Sequence, residues 1–537
     1  MTTPTSSDKG KLQAMTEADT DRTTSQTSAA IPAYSWYVLG VLVLVYVLNF
    51  VDRQILSILA EDIKRDLNLR DEDLGFLYGT AFGVFYALFG IPLGRLADNW
   101  HRVRLMTAGL ALWSMMTALS GLAKTGGVLA VARVGVGVGE ATASPSAYSL
   151  ISDWFPRQRR ATALAIYSAG LYIGGGLSLG IGGLVVQRWN AAYPGGGPFG
   201  LAGWQAAFLV VGLPGLLMAL WVATLREPLR GQSEGLASAP HPAPFRAFGE
   251  DLVAIIPPLT LIGAWRRGLG PLATNLAVAL LIAAAVWLLV TLGEPVPQWA
   301  AVGIGFYAVF SWMSDLRRRD QPTFALIAGN PAFIAVVIAY GLNSFIAYSV
   351  SFWAAPYAMR VLQVAPATAG TMLGGLGALA GFLGVTLGGL AADRLRRWHP
   401  AGRIVMVLFG TLAPVLPLIV AFTTSDLTIF YAMLFICQLT AASALGASAA
   451  STQDLVLPRM RGTATGTFFI GTTLTGLALG PYIAGRISSL SGSLTTGLLS
   501  LLAVTPLALI AGIIAFRMLP ASEASREARA RAAGEPI

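Results

Sequence analysis

Residues 153–163 read DWFPRQRRATA and residues 454–464 read DLVLPRMRGTA, so Asp, Arg, Thr and Ala recur at a constant offset of 301. A second pair of stretches repeats more loosely: residues 88–104 read LFGIPLGRLADNWHRVR, and residues 384–397 read GVTLGGLAADRLRR. In both, a Gly precedes an Asp by four residues and Arg follows. Asp is scarce in so apolar a chain, so composition alone does not produce this spacing. The chain is therefore predicted to consist of two similar halves.

The apolar character of the chain sets the fold class. Of 537 residues, 55% are hydrophobic and 12% are charged, whereas soluble domains carry about 25% charged residues. A helix needs about 20 apolar residues to cross a bilayer. Fourteen segments reach this length, the segment 297–314 only marginally: 34–59, 73–95, 104–123, 127–151, 160–187, 203–225, 271–293, 297–314, 331–360, 367–391, 403–423, 426–451, 462–489 and 494–517. We predict an all-α polytopic membrane protein.

The repeat and the spans together divide the chain. Residues 34–225 and 331–518 are predicted to form two six-helix bundles, arranged as parallel repeats about an axis along the membrane normal. Residues 226–330 separate them as a Pro-rich cytoplasmic linker followed by two extra spans, which we expect to pack beside one half. Residues 1–33 are predicted to be a disordered tail and residues 519–537 a second polar tail, both cytoplasmic.

The net charge of +9 follows the topology of the chain. Arg and Lys cluster in alternate loops while the intervening loops are short, neutral or acidic, which is the positive-inside pattern. It predicts an inner-membrane protein with both termini in the cytoplasm, and it argues against nucleic-acid binding. The single Cys437 lies inside a span, and the three His fall in loops. We expect no metal site, no cofactor and, without a G-x-x-x-x-G-K-[ST] loop, no ATP-driven transport.

Four charged residues fall at membrane depth, where a charge costs about 2.5–3.5 kcal/mol on insertion scales. They are Asp52, Arg53, Arg133 and Glu140. Arg133 and Glu140 are two helical turns apart, so they share a face at a separation of about 10 Å. We predict that Asp52 and Glu140 take up protons, and that Arg133 sets their proton affinity and holds an anionic head group. The alternative is a static buried pair that fixes helix register. Arg53 could equally pair with Asp52 or extend to the interface.

The second half carries almost no charge at membrane depth and offers neutral polar groups instead. A charged wall that faces an apolar one suits an amphipathic substrate. The predicted substrate-binding residues, drawn from both walls, are Arg53, Arg133, Glu140, Tyr148, Asn343, Tyr348 and Gln438. Packing is the alternative role for each aromatic residue.

A further set of residues lies at membrane ends, within the repeated loops. We predict that these residues act as cytoplasmic latches for the outward-facing state and do not contact the substrate. They are Gly94, Asp98, Arg102, Asp153, Arg160, Asp393, Asp454 and Arg461.

The loop 94–104 resembles the G-x-L-a-D-r-x-G-r-k loop of the major facilitator superfamily, from which it departs at Asn99 and His101. Within that superfamily, the string Asn49–Arg53, the spacing of Arg133 and Glu140, and the stretch GWQAAF at 203–208 resemble the Spinster group. Residues 226–330 have no counterpart in this resemblance. It implies two six-helix bundles and proton-coupled export of lysophospholipids or sphingosine phosphate.

These observations predict a proton-coupled secondary active transporter that moves an amphipathic, lipid-like anion by alternating access. We expect a monomer whose partners are the substrate, protons and membrane lipids. A drug or organic-anion proton exchanger is the alternative on the same scaffold, and a passive lipid or solute facilitator is a more remote one. A membrane-embedded enzyme is disfavoured, because no D-x-x-x-D or H-x-x-x-x-D cluster lies at membrane depth and the repeat would stay unexplained.

Overall fold

The computed structural model describes residues 31–231 and 243–536, and within these ranges the chain forms helices and turns without a strand. Twelve helices are long and apolar enough to cross a membrane. The all-α polytopic architecture is therefore confirmed. The helices of the first half are α1 (Ala33–Asp66), α2 (Asp71–Asn99), α3 (Arg102–Ser120), α4 (Gly126–Glu140), α5 (Ala143–Trp154), α6 (Arg157–Ala192) and α7 (Gly203–Ala223).

The insert between the halves is helical over most of its described length. Its helices are α8 (Pro244–Ile255), α9 (Leu259–Arg266), α10 (Leu269–Thr291), α11 (Val296–Arg319) and α12 (Gln321–Ile327). Sequence reasoning assigned α8 and α9 to a plain linker. The second half comprises α13 (Pro331–Arg360), α14 (Pro366–Trp398), α15 (Gly402–Ala421), α16 (Leu427–Ala442), α17 (Ala444–Asp454), α18 (Pro458–Ser491) and α19 (Leu494–Ala524), and α20 (Arg526–Ala532) follows.

Two of the fourteen predicted spans fall outside the twelve, for different reasons. The segment 127–151 is broken between Glu140 and Ala143 into α4 and α5, neither of which is long enough alone. The segment 297–314 lies within the 24-residue helix α11, which is long enough but less apolar than the twelve. The fourteen predictions therefore each correspond to a helix or a helix pair. The predicted tail 1–33 lies almost wholly outside the described residues.

Small residues let the helices of each half approach closely, as is usual in membrane bundles. A Cβ at Gly174 of α6 would lie 2.4 Å from the carbonyl oxygen of Val47 in α1, and one at Gly137 of α4 would lie 2.5 Å from that of Phe82 in α2. Both positions therefore require glycine. The charged residues at membrane depth lie on α1 and α4, and α2 packs against α4 at Gly137.

The two halves contact each other through a glycine seam between α6 and α14. A Cβ at Gly374 would lie 2.3 Å from the carbonyl oxygen of Gly176, and one at Gly176 would lie 2.7 Å from that of Gly374. A second contact joins π-helical turns of α2 and α18, where a Cβ at Gly79 would lie 2.3 Å from the carbonyl oxygen of Leu477. We call the end of the bundle that carries Asp71 the acidic end and the end that carries Arg102 the basic end.

Helix α11 lies in the groove between α2 and α18, so the insert contacts both halves and not one alone. A Cβ at Gly305 would lie 2.9 Å from Leu474 in the second half and 3.3 Å from Val84 in the first. Trp312 of α11 belongs to the same buried cluster as Val84 and Leu474. Helix α10, in contrast, is largely exposed and turns its apolar side chains outward.

Candidate functional site

The centre of the site is a buried ion pair between α1 and α4. Arg53 donates to Glu140 Oε2 from NH2 at 2.8 Å and from Nε at 3.2 Å. Arg53 is 8% exposed and Glu140 is 1% exposed. Two donors on one carboxylate oxygen fix the guanidinium plane, and burial removes the water that would otherwise weaken the attraction.

Three aromatic rings enclose the guanidinium of Arg53. Its Cζ lies 4.7 Å from the ring centre of Phe50, 4.6 Å from that of Phe82 and 4.9 Å from that of Tyr86. Ring faces attract a cation at these distances, and they replace part of the lost hydration. Arg53 is thus held in place even on the sides that Glu140 does not cover.

Arg133 lies beside this ion pair, where it interacts with the charges of Glu140 and Asp52. Its NH1 donates to the backbone carbonyl oxygen of Asp52 at 3.2 Å, its Cζ lies 5.5 Å from the ring centre of Phe82, and the residue is fully buried. The partner of Glu140 is Arg53 from the neighbouring helix, because side chains two turns apart on one helix are too far apart to bond. The local pair of Arg53 with Asp52, one of the alternatives for Arg53, does not form, because Arg53 pairs with Glu140.

Several polar atoms around this pair have no hydrogen-bond partner within the described ranges. They are Asp52 Oδ1, Glu140 Oε1, and the Nε and NH2 of Arg133. Buried polar atoms are satisfied in most proteins, and exceptions concentrate at functional sites. Unused donors and acceptors so close to an ion pair are what a site needs if it changes its charge state during a reaction cycle. Across residues 31–231 and 243–536, no cluster of His, Cys, Asp and Glu could hold a metal ion.

The other predicted substrate-binding residues are spread over both halves. Tyr148 is exposed and packs its ring edge-on to Tyr167 at 5.7 Å. Asn343 is buried and donates to the backbone oxygen of Ala441 at 3.3 Å. Tyr348 and Gln438 are partly buried. The structure therefore puts Arg53 and Glu140 together and brings Tyr348 of the second half close enough to interact with the charge of Arg53.

The predicted latch of the first half is an ion network built on Arg102. This fully buried residue bonds to Asp153, to Ser149 Oγ at 2.9 Å and to Glu227 at 2.7 Å. Glu227 follows α7 and also accepts from the backbone N–H of Val103 at 2.9 Å. The segment after α7 thus binds across the repeated loop.

The second half repeats the arrangement with Arg403. Arg403 bonds to Asp454 and, at 2.9 Å, to Asp393 Oδ1. The pairs Arg102–Asp153 and Arg403–Asp454 are each 51 residues apart. Sequence reasoning omitted Arg403 from the latch, although the offset of 301 applied to Arg102 leads directly to it. Neither network joins one half to the other.

The remaining predicted latch residues are less engaged. Gly94 faces Pro145 at an ordinary distance of 3.8 Å, Asp98 is exposed, and Arg160 donates to the backbone oxygen of Ser152 at 2.9 Å. Arg461 is exposed at the start of its helical segment. Their role as latches stays a prediction.

The burial of the two latch arginines predicts unequal effects of their removal. Arg102→Met should lower the free energy of unfolding by about 2 kcal/mol, because it leaves two partly buried carboxylates without their cation. Arg403→Met should cost about 1 kcal/mol or less, since its partner Asp393 is 67% exposed and can be hydrated. Thermal unfolding of both variants in detergent measures the difference. Equal losses would contradict this ranking.

An ion network that the sequence did not reveal joins the halves at the acidic end. Arg360, at the end of α13, bonds to Glu61 at 2.7 Å and to Asp71 at 2.7 Å. Asp71 also accepts from Ser488 at 2.6 Å and Lys64 at 2.6 Å. Nearer the middle, Ser57 and Gln54 of α1 bond to α13. The bonds between halves therefore concentrate at the acidic end.

A comparison with protein families decides the assignment. The model of the Major Facilitator Superfamily matches residues 42–478 and, in a second match, residues 336–537. The chain belongs to the major facilitator superfamily. This transporter therefore has the two-bundle fold that its repeats predict. Its family and fold are those of transporters and not of membrane-embedded enzymes.

The relatives of this transporter include Spinster proteins and an efflux pump. It is 28% identical to an MFS-type efflux pump of Mycolicibacterium smegmatis, over 85% of each chain. It is 25% identical to Protein spinster homolog 1 of Xenopus tropicalis, over 85% of this chain and 74% of the other. The Spinster resemblance read from the sequence is therefore confirmed.

A solved structure shares the fold along nearly the whole chain. It is a bacterial homologue of the human lysosomal transporter Spinster in an inward-facing and unoccupied conformation. The TM-score is 0.66, with 24% sequence identity over 93% of this chain and 99% of the other.

Proposed function

We propose that this transporter couples proton movement to the transport of an amphipathic, lipid-like anion by alternating access. The observation that carries the proposal is the buried pair of Arg53 and Glu140, 2.8 Å apart and enclosed by aromatic rings. A buried charge pair costs desolvation energy, so a purely structural role is better served by apolar residues. Membrane-embedded charges of this kind mark ion and proton pathways.

The geometry suggests how the coupling works. While Glu140 is ionised, it forms an ion pair with Arg53, and the guanidinium is then unavailable to another anion. A proton on Glu140 removes that competition, so Arg53 can then bind an anionic head group in the same place. Return of Arg53 to Glu140 expels both the anion and the proton. Arg133 and Asp52, buried beside this pair, would adjust the charge balance between the two states.

The polarity of the two halves supports an amphipathic substrate. The charged residues Asp52, Arg53, Arg133 and Glu140 all belong to the first half, while the second half offers the neutral Asn343, Tyr348 and Gln438. A head group would bind the first wall and an apolar chain the second. Membrane lipids would surround a monomer, in which the described residues include 12 helices long and apolar enough to cross a membrane.

The orientation follows from the positive-inside rule. It assigns the basic end, with Arg102 and Arg403, to the cytoplasm of an inner membrane, and both termini lie on that side. The bonds between Arg360, Glu61 and Asp71 then close the extracytoplasmic side. Accordingly, we assign the structure to the inward-facing state. The latch networks do not bridge the halves in this state, which is compatible with their predicted role in the opposite one.

Proton flux in liposomes tests the proposal. We expect lysophospholipid-dependent proton movement with the unaltered protein, and its loss in Glu140→Gln and in Asp52→Asn. The matched control is Glu250→Gln, an exposed carboxylate of α8 whose ion pair with Arg246 lies outside the site. Unchanged coupled flux without Glu140 would refute proton coupling at this residue. A response to the water-soluble anion D-glucarate alone would refute the amphipathic substrate.

A drug or organic-anion exchanger is the second candidate. The similarity to the efflux pump of M. smegmatis over 85% of both chains favours it. The same liposomes distinguish the two, since an exchanger of this kind would respond to amphipathic drugs and not to lysophospholipids.

A further inference from the structure

The insert between the halves has no part in the proposed substrate site, yet its contacts are extensive. Helix α11 runs along the groove between α2 and α18, and it is bonded to both halves near both of its ends. The contacts near its start, at the acidic end, matter most, because that end must separate when the transporter faces outward.

The turn before α11 is tied to the second half by Glu294. Glu294 accepts from Tyr482 at 2.6 Å and from Arg486 Nε at 3.0 Å, and Arg486 also donates to the backbone oxygen of Gly293 at 3.1 Å. Trp299 of α11 donates to the same carboxylate at 3.0 Å. Partial burial raises the pKa of Glu294, but these hydrogen bonds outweigh it and hold the pKa below its usual value. The carboxylate is therefore charged at neutral pH.

The same region is tied to the first half. Arg486 donates to the fully buried Glu72 of α2 at 3.1 Å. Thr80, also in α2, donates to the backbone oxygen of Ala478 in α18 at 2.5 Å, and its hydroxyl lies 2.7 Å from the side-chain amide of Gln298 in α11. One continuous set of bonds thus runs from α2 through the start of α11 into α18.

The far end of α11 is anchored to both halves as well. Arg319 bonds to Asp251 of α8 at 3.3 Å, and Asp251 bonds to Arg95 of α2 at 2.6 Å. Asp320 bonds to Arg459 at 2.8 Å, and this hydrogen bond lowers the pKa of Asp320 to about 2. That contact therefore persists as the pH falls and is lost only near pH 2. With its far end fixed, α11 cannot follow one half freely when the acidic end opens.

We propose that α11 is a strut that holds the acidic ends of the two halves together, and that Glu294 controls how readily they separate. When the acidic end opens, Arg486 of the second half separates from Glu72 of the first half. Because α11 is packed on both halves, it must then lose its contact either with Thr80 of the first half or with Arg486 and Tyr482 of the second half. Glu294 binds the strut to the second half with charged hydrogen bonds, so its loss should favour the open state. The inference does not depend on the substrate or on proton coupling.

Distance measurements between spin labels at the acidic end test the strut. Labels at Lys124→Cys and Ser425→Cys, in a Cys437→Ser background, lie on exposed loops of the two halves. Glu294→Gln should raise the population with the longer distance about tenfold, the size of effect that a charged hydrogen bond supports. Glu250→Gln, exposed on the same insert, should leave the populations unchanged.

Tyr482→Phe provides a milder variant in case Glu294→Gln folds poorly. It removes one hydroxyl from Glu294 and keeps the ring, so it should shift the populations in the same direction by a smaller factor. Unchanged populations in both variants, or a shift toward the shorter distance, would overturn the proposal.

Discussion

Arg53→Met should lower the free energy of unfolding by about 3–5 kcal/mol and abolish transport. The variant leaves Glu140, which is 1% exposed, as a buried carboxylate without its cation. It also removes the charge that three aromatic rings enclose. Thermal unfolding in detergent measures the first effect, and uptake in liposomes measures the second.

A double variant separates stability from function. Arg53→Met with Glu140→Leu removes both charges, and replacement of a buried ion pair by apolar residues is often neutral or stabilising. We expect unfolding close to that of the unaltered protein and no transport. Arg65→Met, on the same helix but 69% exposed, is the control and should cost less than about 1 kcal/mol. A single variant Arg53→Met as stable as the unaltered protein would contradict the assignment of this pair as buried and charged.

Gly374→Val should prevent the closure of the acidic end. The side chain would enter the seam where the backbones of Gly374 and Gly176 meet, since even a Cβ would lie 2.3 Å from the Gly176 carbonyl oxygen. Backbone cannot yield as a flexible side chain can, so α6 and α14 must part. We expect the inward-facing population to fall at least tenfold and transport to be lost.

The adjacent glycine supplies the matched control. A Cβ at Gly375 would meet nothing within 4 Å, so Gly375→Val should be tolerated with near-normal transport. The reactivity of a cysteine at position 57 measures whether the acidic end is open, because Ser57 faces Phe352 across the closed halves. We expect Ser57→Cys to react with an impermeant thiol reagent when combined with Gly374→Val, but not when combined with Gly375→Val. Equal reactivity with Gly375→Val would show that the seam is not the closure contact.

The sequence was sufficient to predict the architecture, while the roles of the charged residues at membrane depth stay predictions. Apolar length predicts the spans from local composition, and the 301-residue offset predicts two equivalent halves because both copies can be read in the sequence itself. The partner of Glu140 was not predictable, since helical spacing tells which residues share a face but not which side chain of a neighbouring helix reaches them. For Arg53, the sequence left a local pair with Asp52, extension to the interface and substrate binding as alternatives, and gave no sign of Glu140 as its partner.

The ion network at the acidic end could not be predicted from the sequence for a related reason. Arg360 stands alone at the end of a span, where a single Arg usually anchors the helix at the interface. Only the tertiary arrangement brings Glu61 and Asp71 to it. The helices α8 and α9 were missed because Pro257 and Pro258 suggested an irregular linker, whereas the prolines lie between two short helices.

The two equivalent latch networks become complete at different times during synthesis. Every bonded partner of Arg102, including Glu227 and Pro228, lies within the first 231 residues. The latch of the second half includes Arg526, which donates to the backbone oxygen of Asp454 at 3.1 Å. The first half can thus finish its ion network while the ribosome is still producing the insert, whereas the network of the second half is complete only after Arg526 has been added.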